Sequence, residues 1–165
     1  MANPMYGQNK ADNALDKVGS EVMVVTAAKT LAASDSGSTV FVNAAAIEVT
    51  LPSCAAGLKY KVVFGIDTTA GAKVNAASGD CFFGTLNVNS TTKAKCSAQS
   101  IAHATAIAAP GSYDVLDFTH DSQTLAGKAG DMIEIVGIDD ISWLVSGALV
   151  TDGNDPDAVA IINAS

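Results

Sequence analysis

Residues 46–51 read Ala-Ile-Glu-Val-Thr-Leu, and their alternation decides the fold class. Ile47, Val49 and Leu51 fall on one face of an extended chain while Glu48 and Thr50 fall on the other, the period of two of a half-buried strand. Pro52 ends the run, because proline has no amide to give to a ladder and biases its predecessor away from continuing it. Outward from this strand the same grammar recurs. Residues 59–66 place Tyr60, Val62 and Phe64 on one face, and further strands are expected at 22–26, 39–43, 81–88, 113–118, 131–136 and 141–145, separated by Gly, Asp, Asn and Ser clusters. Residues 101–108 alternate larger side chains with alanine; on a helix Ile101 and Ile107 would stand about 120° apart, whereas a strand aligns them, which favours a strand over the helix that the alanines suggest. The expectation is an all-β chain, a single β-sandwich or jelly-roll-like β-barrel, with Ile47, Val49, Leu51, Tyr60, Val62, Phe64 and Trp143 in its core.

A length of 165 residues suits one domain with an arm rather than two domains. Residues 1–20 lack bulky periodicity and read as an extended arm or, equally, a disordered tail; 21–151 form the β domain and 152–165 a C-terminal segment. The hydrophobic fraction is 48%, but 29 of those residues are alanine, so bulky core material is ordinary for a soluble protein. No apolar run approaches the ~20 residues of a spanning helix, and the opening residues do not read as a signal peptide, so no membrane partner is expected. With 17 acidic residues against 9 cations, all lysine, the chain lacks the clustered cations and forked guanidinium contacts that hold phosphates and bases, and nucleic acid is not expected as a partner.

The polar residues give little purchase for chemistry. Cys54, Cys81 and Cys96 are widely spaced, odd in number and outside any C-x-x-C arrangement, as befits buried thiols. His120, Asp121 and Ser122 are consecutive, and consecutive strand residues point to opposite faces, so they do not suggest a triad; His103, among alanines, reads as a structural histidine. Asp139 and Asp140 sit between two apolar runs and read as a hairpin turn rather than an acid/base pair. The stretch 152–157 resembles a calcium loop in composition only, since Pro156 displaces a ligand and no glutamate follows. Neither phosphate-binding glycine motif occurs. No catalytic residue, metal ligand or cofactor is expected, and the chain does not read as an enzyme.

Residues 31–64, LAASDSGSTVFVNAAAIEVTLPSCAAGLKYKVVF, resemble a module of tailed-phage virion proteins: a Leu-x-x-x-Asp-Ser-Gly start, a strand ending in Leu-Pro, and Ala-Gly-Leu before a Tyr/Phe-rich strand. Ala77-Ser-Gly-Asp80 before Gly84, then Gly130-Asp131, then Trp143 before Ser146-Gly147, continue the pattern, and NPMYGQNK is similar to the start of small structural proteins of marine phages, notably those of cyanobacteria. The chain departs from the pattern at Asp140 and at residues 44–46, where glycine is common. The resemblance implies a head decoration or cement protein, and with it an expected arrangement: a homotrimer assembled in the host cytoplasm and bound to the major capsid protein on the capsid exterior. A tail-fibre or receptor-binding module is the alternative. Pro4, Met5 and Tyr6 of the arm are the expected contacts with capsid or neighbouring subunit.

Overall fold

A computed structural model describes residues 21–90, 96–101, 114–118, 126–151 and 160–162. Among these the chain forms twelve strands: β1 Val22–Val25, β2 Lys29–Thr30, β3 Thr39–Val42, β4 Ile47–Thr50, β5 Lys59–Phe64, β6 Ala72–Asn75, β7 Cys81–Ser90, β8 Cys96–Ile101, β9 Val115–Asp117, β10 Met132–Gly137, β11 Ser142–Thr151 and β12 Ala160–Ile162. A 3-10 turn at Ala33–Asp35 interrupts the strands, with the Asp35 carboxylate accepting from the Ala32 amide at 2.8 Å. All-β is therefore the fold class.

The strands divide into two mixed sheets, seven in the order β1-β3-β5-β10-β11-β7-β8 and five in the order β12-β9-β6-β4-β2. From β1 to β6 the chain alternates between the sheets at every strand, so β1, β3 and β5 stack in parallel in one while β2, β4 and β6 stack in parallel in the other. A parallel neighbour cannot be reached by a tight hairpin. Here the return path is a strand of the opposite sheet instead of the usual helix. The hairpin β10–β11 then lies antiparallel to β5 on one side and parallel to β7 on the other. Neither sheet closes on itself among the described residues.

Both sheets feed one apolar cluster. Every residue expected in the core is there: Ile47, Val49, Leu51, Tyr60, Val62, Phe64 and Trp143 are all at most 4% exposed. Tyr60 tilts against Trp143 with centroids 5.9 Å apart and donates its hydroxyl to the Ala32 carbonyl at 2.9 Å, and Phe64 meets Phe118 at 4.9 Å across the two sheets. The expected strands at 22–26, 39–43, 46–51, 59–66, 81–88, 113–118, 131–136 and 141–145 coincide with β1, β3, β4, β5, β7, β9, β10 and β11, but β11 runs six residues further. Gly147 makes that extension possible, since a side chain there would meet the Met132 carbonyl oxygen at 2.6 Å. Of the expected strand at 101–108, Ile101 ends β8 and the rest lies outside the described residues. Within the segment 152–165, Ala160–Ile162 pairs with β9 as part of the five-stranded sheet.

Candidate functional site

The outward faces of the two sheets differ in kind. On the five-stranded sheet, Glu48, Lys73 and Asp117 lie side by side in register, an alternation of charge that water solvates well. A shallow depression of about 530 Å³ adjoins them, lined in part by Ala46, Ala70 and Gly71. On the seven-stranded sheet, register puts Val24, Phe41, Val63, Met132 and Ala148 in one row across five strands. Val24 is 61% and Met132 39% exposed, and Phe41 leans sideways over Gly65, where a Cβ would collide with the ring. The neighbouring row is polar, Thr39, Lys61, Glu134 and Ser146, and a depression of about 290 Å³ opens beside it between Ser38, Lys59 and Val136. An apolar band rimmed by polar groups is the usual mark of a contact surface.

A second concentration of polar atoms lies inside, where β7, β11 and the loop before β5 converge. Asp80, 5% exposed, accepts the Cys54 amide at 2.8 Å; the Cys54 thiol donates to the Ser142 carbonyl at 3.3 Å; and Ser142 stands opposite Cys81 in the β7–β11 ladder. Burial pushes the Cys54 thiol up to about 12, with the charges of Asp80 and Asp139 adding to it, and burial likewise raises Cys81. Both thiols are therefore protonated at neutral pH and poor nucleophiles. Burial also raises Asp80, against the opposing pull of the Cys54 amide and of the Trp143 indole, which favours the carboxylate without reaching hydrogen-bond geometry.

A carboxyl whose pKa is higher folded than unfolded, as burial makes that of Asp80, binds its proton more tightly in the native state. Its ionisation therefore works against the fold as pH climbs from the ordinary carboxylate range through the native value. Replacing Asp80 with asparagine, whose amide oxygen can still accept from Cys54, is expected to remove this decline. Urea midpoints of the two proteins measured across that range should converge at the acid end and separate toward neutrality in favour of the variant; parallel curves would show that Asp80 is not the titrating group.

Of the residues marked by the sequence, the structure brings Cys54, Cys81 and Asp139 together around Ser142. Asp139 does form the expected β10–β11 turn, its Oδ1 accepting from the Ile141 and Ser142 amides at 2.9 and 2.6 Å, and Asp140 lies exposed beside it. Cys54 and Cys81 are buried free thiols, as their spacing suggests. Pro4, Met5, Tyr6, His103, His120, Asp121, Ser122 and residues 152–157 lie outside the described residues, as does the side chain of Cys96. Among the described residues no three of His, Cys, Asp and Glu are grouped as metal ligands, and no helix is long and apolar enough to cross a membrane. Sequence reasoning misses the apolar row. Its signal is present in the second faces of the strands, but row partners become visible only once parallel register is known. No protein-family model matches the chain, and neither a curated protein nor a solved structure does.

Proposed function

We infer that the chain is a β-sandwich binding module of a phage virion, a decoration protein that clips onto the exterior of the assembled head and holds it together. The observation that carries this is the apolar row Val24–Phe41–Val63–Met132–Ala148 on one sheet of an acidic chain, opposite a sheet whose outer face is charged. Net charge of -8 keeps free copies apart, so that burial of the row against a specific partner, the major capsid protein, supplies the attraction. A protein that binds only the assembled lattice stabilises it by its binding free energy, and a symmetric oligomer, here a homotrimer, multiplies weak contacts into a durable hold. No reaction is proposed.

The test is binding to emptied shells. Val63→Lys combined with Met132→Lys puts two charges on outward positions without touching the core. Each apolar side chain is worth about 1.5 kcal/mol or more if fully buried on docking, so the double variant should lose at least ~100-fold in shell affinity. Unchanged affinity in a variant that unfolds at the same urea concentration would rule the row out as the docking face. On a stained gel of purified particles the chain should approach the shell protein in abundance; scarcity would favour a tail-fibre module.

A further inference from the structure

We propose that β1 pairs antiparallel with β1 of a second copy across a two-fold axis at Met23, joining two seven-stranded sheets into one. The contact uses the backbone edge of β1, leaves the outward face that carries the docking row open, and is two-fold in symmetry, so it links one oligomer to the next rather than closing a ring.

The β1 backbone points both ways along the sheet. Thr39 donates to the Glu21 carbonyl and Asn43 to the Val25 carbonyl, both at 2.9 Å, so every second residue of β1 faces β3. The intervening Val22 and Val24 then aim their amides and carbonyls away from β3, and among the described residues no strand receives them. Edges of this kind are ordinarily blunted by shortness, charge, proline or a bulge. The neighbouring edge of the other sheet shows that treatment: β2 is two residues long, and Lys29 stands in register with buried Val49, bringing a charge to the inward face. Among the described residues β1, four residues long, carries no charge, proline or bulge of its own. It reads Val-Met-Val-Val, residues 22–28 carry no charge, and Val22 and Val24, at 60% and 61%, are the most exposed large hydrophobic residues described.

A second copy fits this edge better than an arbitrary strand because Val22-Met23-Val24 reads the same in both directions. Centred on Met23, antiparallel pairing sets each Val22 opposite the partner's Val24 in a hydrogen-bonded pair that exchanges two bonds, four in all. The four valines then lie together on the outward face, next to Phe41 of each copy. Glu21 falls opposite the partner's Val25, so the two carboxylates sit at opposite ends of the paired strands and like charges do not meet.

The experiment uses the full-length chain. Met23 would face its counterpart in a non-hydrogen-bonded pair with Cα atoms about 4.5 Å apart, within disulfide reach. Met23→Cys under mild oxidation should therefore give a dimer in which peptide mapping finds the two copies of position 23 joined to each other. Val24→Pro removes an outward amide while sparing the bonds to β3, a position where an edge strand tolerates proline. It should weaken self-association in sedimentation by about tenfold or more through the two lost bonds, leaving the urea midpoint within error. Because the chain is acidic, association of the unmodified protein should strengthen with added salt. Absence of that cross-link in Met23→Cys overturns the proposal, including the case in which it emerges only after residues 1–20 are deleted, since the edge would then be covered by the chain's own leading segment. Association unaffected by Val24→Pro overturns it equally.

Discussion

Replacing Asp131 with alanine is expected to destabilise the fold by about 3–5 kcal/mol, a large share of the ~5–15 kcal/mol that holds a domain together. The side chain is 1% exposed and acts as an acceptor at the centre of three segments. Its Oδ2 accepts from the Gly127 and Lys128 amides at 2.9 and 3.0 Å, and its Oδ1 from the Val150 amide on β11 at 2.8 Å. The residue's own backbone extends the tie to β5, accepting from Phe64 at 2.9 Å. Alanine leaves three amides without their acceptor where they are wholly or partly buried, and a buried unsatisfied donor costs about 1–3 kcal/mol. Asparagine should fall between, because one oxygen remains to accept while its NH₂ confronts an amide. Urea unfolding should rank the chain above Asp131→Asn and that above Asp131→Ala. A loss below about 1 kcal/mol for alanine would mean that the amides find other acceptors once the carboxylate is gone.

How much of this is legible from residues alone depends on the range of each interaction. Alternation within four to six residues is local, so β4 and β5 and the core assignment of Ile47, Val49, Tyr60 and Phe64 can be read directly, and Asp139 announces its turn because its partners are two and three residues away. Short β6, Ala-Lys-Val-Asn, is hidden because its inward Ala72 is small and its run too brief to show a period. Strand direction is hidden for a different reason: a period of two is identical in parallel and antiparallel strands, so the alternation between sheets from β1 to β6 leaves no trace in the pattern. The apolar row is lost with it. Val24, Phe41, Val63 and Met132 are far apart along the chain, and only register aligns them. Asp131 likewise shows only as a strand start and as half of the Gly130-Asp131 pair, with no sign of its tie to β11, since two of its amides are local but the third, Val150, lies nineteen residues on.

Gly84→Ala should be as damaging as the loss of Asp131, through sterics instead of polarity. Gly84 lies in the middle of β7 opposite Val145, within a parallel ladder that runs from Ser142–Cys81 to Thr151–Ser90. Its φ of +142° is one that side chains rarely adopt, and a Cβ built there would overlap the Val145 carbonyl oxygen and sit 2.9 Å from that residue's backbone nitrogen and carbon. Backbone cannot rotate aside as a side chain can. The methyl group must therefore force β7 and β11 apart, weakening a junction whose flanks hold fully buried Phe82, Leu86 and Trp143. Backbone strain of about 1–3 kcal/mol together with overpacking of similar size gives an expected loss of at least ~3 kcal/mol. Gly79 provides the control that separates the two contributions: its φ is +93°, but a Cβ there meets nothing within 4 Å. Gly79→Ala should thus show the conformational cost alone, about 1 kcal/mol. The difference between the two variants in urea unfolding isolates the clash, and equal losses would show that β7 and β11 separate freely at Gly84.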